Sequence, residues 1–104
     1  MEHKTTEQKM GCIMEHYSEA QEELMGAQSY AKKAYHAESV EARNKYNQMA
    51  RQELAHAEDL KQMAARTAQG DPMLTMMWDK LQEPLDSWHE RILDKITHAE
   101  HKAM

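Results

Sequence analysis

The chain has 104 residues, which is the size of one domain. It is 40% hydrophobic and 30% charged, with three glycines, two prolines and no phenylalanine, and this composition favours an all-helical fold. The net charge of −5 argues against a general binder of nucleic acid or of anionic membranes. The sequence has no apolar run long enough to span a membrane, no apolar signal-peptide core near its start, and one cysteine, which excludes an intrachain disulfide. We therefore expect a reduced, cytoplasmic protein, either free or inside a protein compartment.

A first helix is predicted over residues 12–37, after a polar and flexible segment over residues 1–11. Its apolar and small residues recur at steps of three and four, as on one face of a helix, at Ile13, Tyr17, Ala20, Leu24, Ala27, Ala31 and Ala34. Gly26 interrupts this pattern at a cost of about 1 kcal/mol relative to alanine. A glycine at this position indicates that another group packs closely against that turn.

A second helix is predicted over residues 40–68, with Ser39 as its N-cap. Its predicted apolar stripe has steps of three and four and consists of Tyr46, Met49, Glu53, His56, Leu60 and Met63. The stripe is widened by Ala50, Leu54, Ala57 and Ala64. Gly70 and Asp71-Pro72 indicate a stop followed by a third helix over residues 72–100, kinked or broken near Pro84. Because the connections are short, helices 1 and 2 should form an antiparallel hairpin.

Two carboxylates and an imidazole stand where these stripes call for apolar residues. Glu23 is surrounded at helical spacing by apolar residues of helix 1, and Glu53 and His56 belong to the stripe of helix 2. Burial of a carboxylate is costly unless the group is paired, protonated or bound to a metal. Glu23 and Glu53 are equally distant in sequence from position 38, at the hairpin turn. They should therefore lie beside each other, at the same level along the axis of the hairpin.

This set is half of the ligand set in a diiron carboxylate bundle. Such a bundle uses one Glu from each of two helices and a Glu-x-x-His motif from each of the other two. Helix 3 has no Glu-x-x-His motif, and the closest substitute pairs Asp86, which faces away from the apolar side, with His89. Two hairpins related by a twofold axis would supply the complete set, because a twofold interface repeats each ligand. We therefore predict a four-helix bundle completed by dimerisation, with two metal ions at the interface.

The sequence resembles the ferritin-like superfamily over about residues 13–66, and weakly over residues 78–81. The segment from Glu23 to Tyr30 is similar to the Glu-x6-Tyr pattern in the first helices of ferritins and rubrerythrins, and Glu53-Leu-Ala-His56 follows on helix 2. A half-bundle hairpin with a trailing helix is most similar to the encapsulated ferritins. Met25 and Ser29 depart from that family's pattern, which has acidic and aromatic residues near these positions.

The resemblance implies a ferroxidase, an enzyme that oxidises Fe(II) with oxygen at a diiron centre shared by two subunits. Glu23, Glu53 and His56 would then be the iron ligands, with Tyr30 beside the site. It also implies a homo-oligomer, at least a dimer and open to a larger ring. An encapsulin shell stays open as a partner, although the C-terminal THAEHKAM contains no Gly-Ser-Leu type of targeting peptide.

Two other functions stay open at this stage. The first is a helical oligomerisation module with no metal and no enzymatic activity, in which His56 simply pairs with a carboxylate. The second is a bundle that binds zinc or manganese passively. Asp94 and His98, four residues apart, form another pair of potential metal ligands, for which a solvated tail is the simpler interpretation.

Overall fold

The computed structural model describes residues 4–102, and every regular element in that range is an α-helix. Helix α1 spans Thr6–His36, α2 spans Val40–Ala68 and α3 spans Pro72–Lys102, and no strand occurs among these described residues. The all-α fold class predicted from composition is therefore confirmed. Within residues 4–102, no helix is long and apolar enough to cross a membrane.

Helix α1 begins earlier than predicted, because a capping box fixes its start. The side chain of Thr5 accepts a hydrogen bond from the backbone N–H of Gln8, and the side chain of Gln8 accepts one from the backbone N–H of Thr5. The prediction of a flexible segment over residues 1–11, with the helix starting at residue 12, is therefore wrong for residues 6–11. Residues 1–3, which this prediction also covers, lie outside the described residues.

The two connections carry the capping groups that the sequence predicted. Ser39 accepts a hydrogen bond from the backbone N–H of Ala42 at the start of α2, which has the predicted bounds. After α2, Gly70 has a φ of +85°, a conformation that suits glycine at the end of a helix. Asp71 then accepts two backbone hydrogen bonds from the first turn of α3. Helix α3 runs through Pro84 without a break and ends two residues beyond the predicted end.

Helices α1 and α2 form the predicted antiparallel hairpin. His56 on α2 lies 3.5 Å from Glu23 on α1, whereas Tyr46, earlier in α2, stacks with Tyr30, later in α1. Residue numbers therefore rise along one helix as they fall along the other. The ferritin-like arrangement of four helices, which needs a second copy of the chain, stays a prediction.

Helix α3 packs against the hairpin and runs antiparallel to α2. Its direction is given by two ion pairs, Lys61 with Asp86 and Arg51 with Glu100, both at 2.7 Å. The core of the three helices consists of small residues from the hairpin and larger ones from α3. Its main members are Ile13, Ala20, Leu24, Ala27, Ala31, Ala50, Leu54, Ala57, Ala64, Leu74, Trp78, Leu85, Ile92 and Ile96.

Apart from Ala68, the buried residues of α2 each lie one position later in the sequence than the residues named for the predicted stripe. Its buried residues are Asn47, Ala50, Leu54, Ala57, Lys61, Ala64 and Ala68. The predicted stripe is instead half-buried or exposed, with Met63 at 39%. The physical reason is that α3 covers this side of α2, as the ion pair between the buried Lys61 and Asp86 shows. The predicted stripe consequently lies on an open face of the hairpin.

Candidate metal centre

Three potential metal ligands converge on the open face of the hairpin. One ligand atom from each of Glu23, Glu53 and His56 lies within 4.8 Å of the other two. The Nδ1 atom of His56 is 3.5 Å from Oε2 of Glu23 and 4.0 Å from Oε1 of Glu53. The structure thus brings together the three residues that the sequence predicted as ligands. Two carboxylates and an imidazole suit divalent iron, manganese or zinc.

The two helices place these side chains together through spacing and through one glycine. Glu53 and His56 are three residues apart, which is nearly one helical turn, so they point to the same side of α2. Across the hairpin, Gly26 leaves room for the carboxylate of Glu53: a Cβ atom at Gly26 would lie only 2.7 Å from Glu53 Oε2. The close packing that the sequence predicted at Gly26 is therefore confirmed, and the group that packs there is a candidate ligand.

The electrostatics of the cluster favour a bound cation. Burial raises the pKa of Glu53 from its usual value, and the neighbouring carboxylate of Glu23 acts in the same direction, while His56 opposes them. Oε2 of Glu23 is shielded from solvent and has no hydrogen-bond partner among the described residues. A buried carboxylate oxygen without a partner is costly. A divalent cation at this position would satisfy that oxygen and relieve the repulsion between the two carboxylates.

The ligand side chains point away from α3. On α2, Arg51 and Lys61 pair with α3, and at about 100° per residue Glu53 and His56 lie on roughly the opposite side of the helix. The side chains of Glu23 and Glu53 are 29% and 28% exposed, and that of His56 is 60% exposed. The set is therefore partly wrapped by its own hairpin and open on its outer side.

Tyr30 lies on the same side of α1 as Glu23, two helical turns further along. It stacks with Tyr46 of α2, with ring centroids 6.4 Å apart, and the ammonium of Lys33 lies 5.4 Å from the Tyr30 centroid. No hydrogen bond joins Tyr30 to the cluster within the described part of the chain. The sequence interpretation missed Tyr46 as its partner, although Tyr46 stands in the same stripe as Glu53.

Helix α3 adds no ligand to the cluster. Asp86 pairs with Lys61, and His89 lies in a different groove beside Arg51 and Glu58. Glu23, Glu53 and His56 form the one group of three such ligands within residues 4–102. The described part of the chain therefore brings together the three predicted ligands from the hairpin, and their role in a diiron centre stays a prediction. Comparisons with models of known protein families, with curated proteins and with solved structures find no match to this chain.

Proposed function

We propose that Glu23, Glu53 and His56 bind iron, and that two copies of the chain join their ligand sets into a diiron centre that oxidises Fe(II). The observation that carries this proposal is the convergence of the three side chains within 4.8 Å, with one carboxylate oxygen buried and without a hydrogen bond.

Charge supports a site made by two copies. Each set contributes two carboxylates, so two sets together contribute four negative charges, which balance two divalent cations. One set around two such cations would leave an excess of positive charge. One set around a single cation would leave half of its coordination to water, which makes a weak and exchangeable site.

The exposure of the ligand face supports the same arrangement. The side chain of His56 is 60% exposed, and the apolar residues that flank the ligands on α2 are half-buried or exposed: Tyr46, Met49, Leu60 and Met63. A second hairpin laid on this face would cover both the ligands and these apolar side chains. Each copy would present the same surface, as a twofold interface requires.

In the proposed reaction, two Fe(II) ions would each give one electron to dioxygen, which would take two protons from solvent and leave as hydrogen peroxide. With hydrogen peroxide as the oxidant, the same two electrons and two protons would give two molecules of water. The carboxylates of Glu23 and Glu53 hold the cations and neutralise their charge, and His56 completes the set with a nitrogen ligand. Carboxylate ligands favour the more highly charged Fe(III), so they also favour the oxidation. Tyr30 is proposed as the aromatic neighbour of the site, on the strength of the family resemblance.

The first test is metal content and assembly. Metal-free protein is loaded anaerobically with Fe(II), and bound iron is measured together with the mass in solution. We expect two irons per dimer, with iron lost in Glu53→Ala and in His56→Ala. Glu22→Ala is the matched control, because Glu22 is the exposed neighbour of Glu23 in the sequence and should keep its iron. Unchanged iron content in both ligand variants would refute the site.

The second test is oxygen consumption after addition of Fe(II) to the metal-free protein. We expect turnover in the wild type and its loss in the two ligand variants. Full iron occupancy without oxygen consumption would instead support the passive metal-binding bundle. A dimer that forms equally well without metal, and binds none, would support the helical oligomerisation module.

A further inference from the structure

A second concave site lies between the C-terminal halves of α1 and α3, on the side of α1 that contacts α3. It has a volume of about 660 Å³, within the usual range for small-molecule sites. Its floor includes Gln28, whose side chain accepts a hydrogen bond from the indole N–H of Trp88 at 2.6 Å. The proposed metal chemistry uses none of the residues that line this groove.

One wall of the groove is aromatic and spans the two helices. The ring of Tyr35 on α1 and that of His98 on α3 are nearly parallel, at 18°, with centroids 6.3 Å apart. His36 meets Tyr35 edge-on at 5.2 Å, which helps to fix the orientation of the tyrosine ring. Two nearly parallel rings at this centroid distance are within the range of an aromatic pair in contact. The pair presents a planar aromatic surface on which the ring of a ligand can stack.

The groove also concentrates positive charge in an acidic protein. Lys32 comes from α1 and Lys95 from α3, and neither ammonium forms an ion pair with another described residue. By contrast, the buried ammonium of Lys61 has two carboxylate partners. Two lysines that face one groove from different helices can bind a phosphate together as point charges. Asp94 lies in the same groove and can accept hydrogen bonds from an amino or hydroxyl group.

We infer that the groove between α1 and α3 binds a ligand of the nucleoside-monophosphate type. The base stacks on the aromatic pair of Tyr35 and His98, the phosphate contacts Lys32 and Lys95, and Asp94 accepts a hydrogen bond from the nucleoside. This combination requires both a planar ring and a negative group on one molecule. Neither a free anion nor an uncharged aromatic compound satisfies all three features.

The test is a nuclear magnetic resonance titration of metal-free, ¹⁵N-labelled protein with adenosine 5′-monophosphate, adenosine and inorganic phosphate. Metal-free protein is used because phosphate groups bind iron, so the result does not depend on the metal site. We expect saturable shifts from adenosine 5′-monophosphate at residues 28–36 and 94–98 and at the indole N–H of Trp88. Adenosine and inorganic phosphate should each bind at least about tenfold more weakly.

Variants assign the contacts. The double variant Lys32→Gln, Lys95→Gln should weaken nucleotide binding about tenfold or more, because it removes both charged contacts. Lys33→Gln is the matched control, since its ammonium lies over Tyr30 and Tyr46 on another side of α1 and its removal should leave binding unchanged. Tyr35→Leu should weaken the nucleotide and leave the affinity for inorganic phosphate unaltered. All four positions are exposed, so these variants should keep the helical circular-dichroism spectrum of the wild type.

Three results would overturn the inference. The first is the absence of saturable shifts in the groove at about 5 mM nucleotide, a concentration that detects even millimolar affinity. The second is equal binding of adenosine and its monophosphate, which removes the role of the lysines. The third is equal binding of inorganic phosphate and the nucleotide, which removes the role of the aromatic wall.

Discussion

Gly26 provides a sharp test of the metal centre, because changing it should stabilise the fold and damage the site. Gly26 lies inside α1 with an ordinary helical backbone, since Gly70 is the one glycine with a positive φ among the described residues. Alanine at an exposed helix interior is favoured over glycine by about 1 kcal/mol. The three atoms nearest to the added methyl group outside its own helical turn all belong to the side chain of Glu53. The fold can therefore accept Gly26→Ala if that carboxylate moves.

The size of the movement follows from the structure. The new Cβ atom would lie 2.7 Å from Glu53 Oε2, whereas ordinary van der Waals contact begins at 3.4 Å. The oxygen must therefore shift by about 0.7 Å, the difference between these two distances, if it moves directly away. Metal–ligand distances tolerate deviations of only about 0.2 Å. We expect Gly26→Ala to weaken Fe(II) binding by about 10- to 100-fold, the usual effect of disturbing the support of a ligand.

Gly11→Ala is the matched control for this variant. Gly11 also lies in α1, and a Cβ atom there has no neighbour within 4 Å. Both variants should raise the free energy of unfolding of the metal-free protein by up to about 1 kcal/mol in urea titrations. Anaerobic calorimetry with Fe(II) should show unchanged binding in Gly11→Ala and weakened binding in Gly26→Ala. Wild-type affinity in Gly26→Ala would refute the idea that the position of Glu53 matters for metal.

Three further predictions concern stability, each measured by urea unfolding. Asp86→Ala should destabilise the protein by about 1–3 kcal/mol because it deprives the buried ammonium of Lys61 of a charged partner, whereas Lys61→Met should stay within about 1 kcal/mol of the wild type. A larger loss of stability in Lys61→Met than in Asp86→Ala would show that the exposed carboxylate, and not the buried ammonium, depends on the ion pair. Burial, followed by the charge of Lys61, lowers the pKa of His89 from its usual value, so the unfolded chain binds a proton more readily, and stability should fall as the pH is lowered through the range in which a free histidine titrates. The slope should flatten in His89→Gln, and an unchanged slope would assign the proton to another group. Asp71→Ala should lower the free energy of unfolding by about 1 kcal/mol because the α3 cap is lost. Asp71→Ser should recover most of this loss, because serine can also cap a helix, and failure to recover it would show that Asp71 acts through its charge.

The helices and their order could be predicted from the sequence because their caps and breakers are local signals. Ser39 and Gly70 lie at the predicted ends, and the structure gives them the expected roles. The start of α1 was missed although its signal is equally local: Thr5 and Gln8 form a capping box that the sequence displays. The polar composition of residues 1–11 suggests a flexible segment, but the capping box is sufficient to start the helix there.

The buried side of α2 could not be predicted from periodicity alone. Two stripes, one residue apart, both have steps of three and four, and the predicted one contains the larger apolar residues. The structure buries the stripe with alanines, together with Lys61 and Asn47. Lys61 is tolerated there because Asp86 reaches it from α3, a contact between residues 25 positions apart. Spacing within one helix carries no information about such a partner.

The prediction that Glu23 and Glu53 lie together is confirmed in spite of that shift, because it rested on a different relation. Equal distance from the hairpin turn places Glu23 beside Glu53 whichever stripe of α2 is buried. The location of the cluster, however, changes its interpretation. In a buried seam the carboxylates would be part of the core, whereas on the open face they contribute nothing that the hairpin needs for packing.

Each feature of the cluster opposes the stability of the metal-free hairpin. Gly26 weakens α1 where alanine would fit the backbone, Glu23 and Glu53 repel each other, and one carboxylate oxygen lacks a partner. Such local conflicts with the fold are typical of functional positions. A ligand that binds only the folded state offsets these costs, because it stabilises that state by a free energy that grows with the logarithm of the ligand concentration. A cation shared by the two carboxylates removes the repulsion between them, and Gly26 leaves room for the Glu53 carboxylate to take part, which is why we assign these conflicts to metal binding.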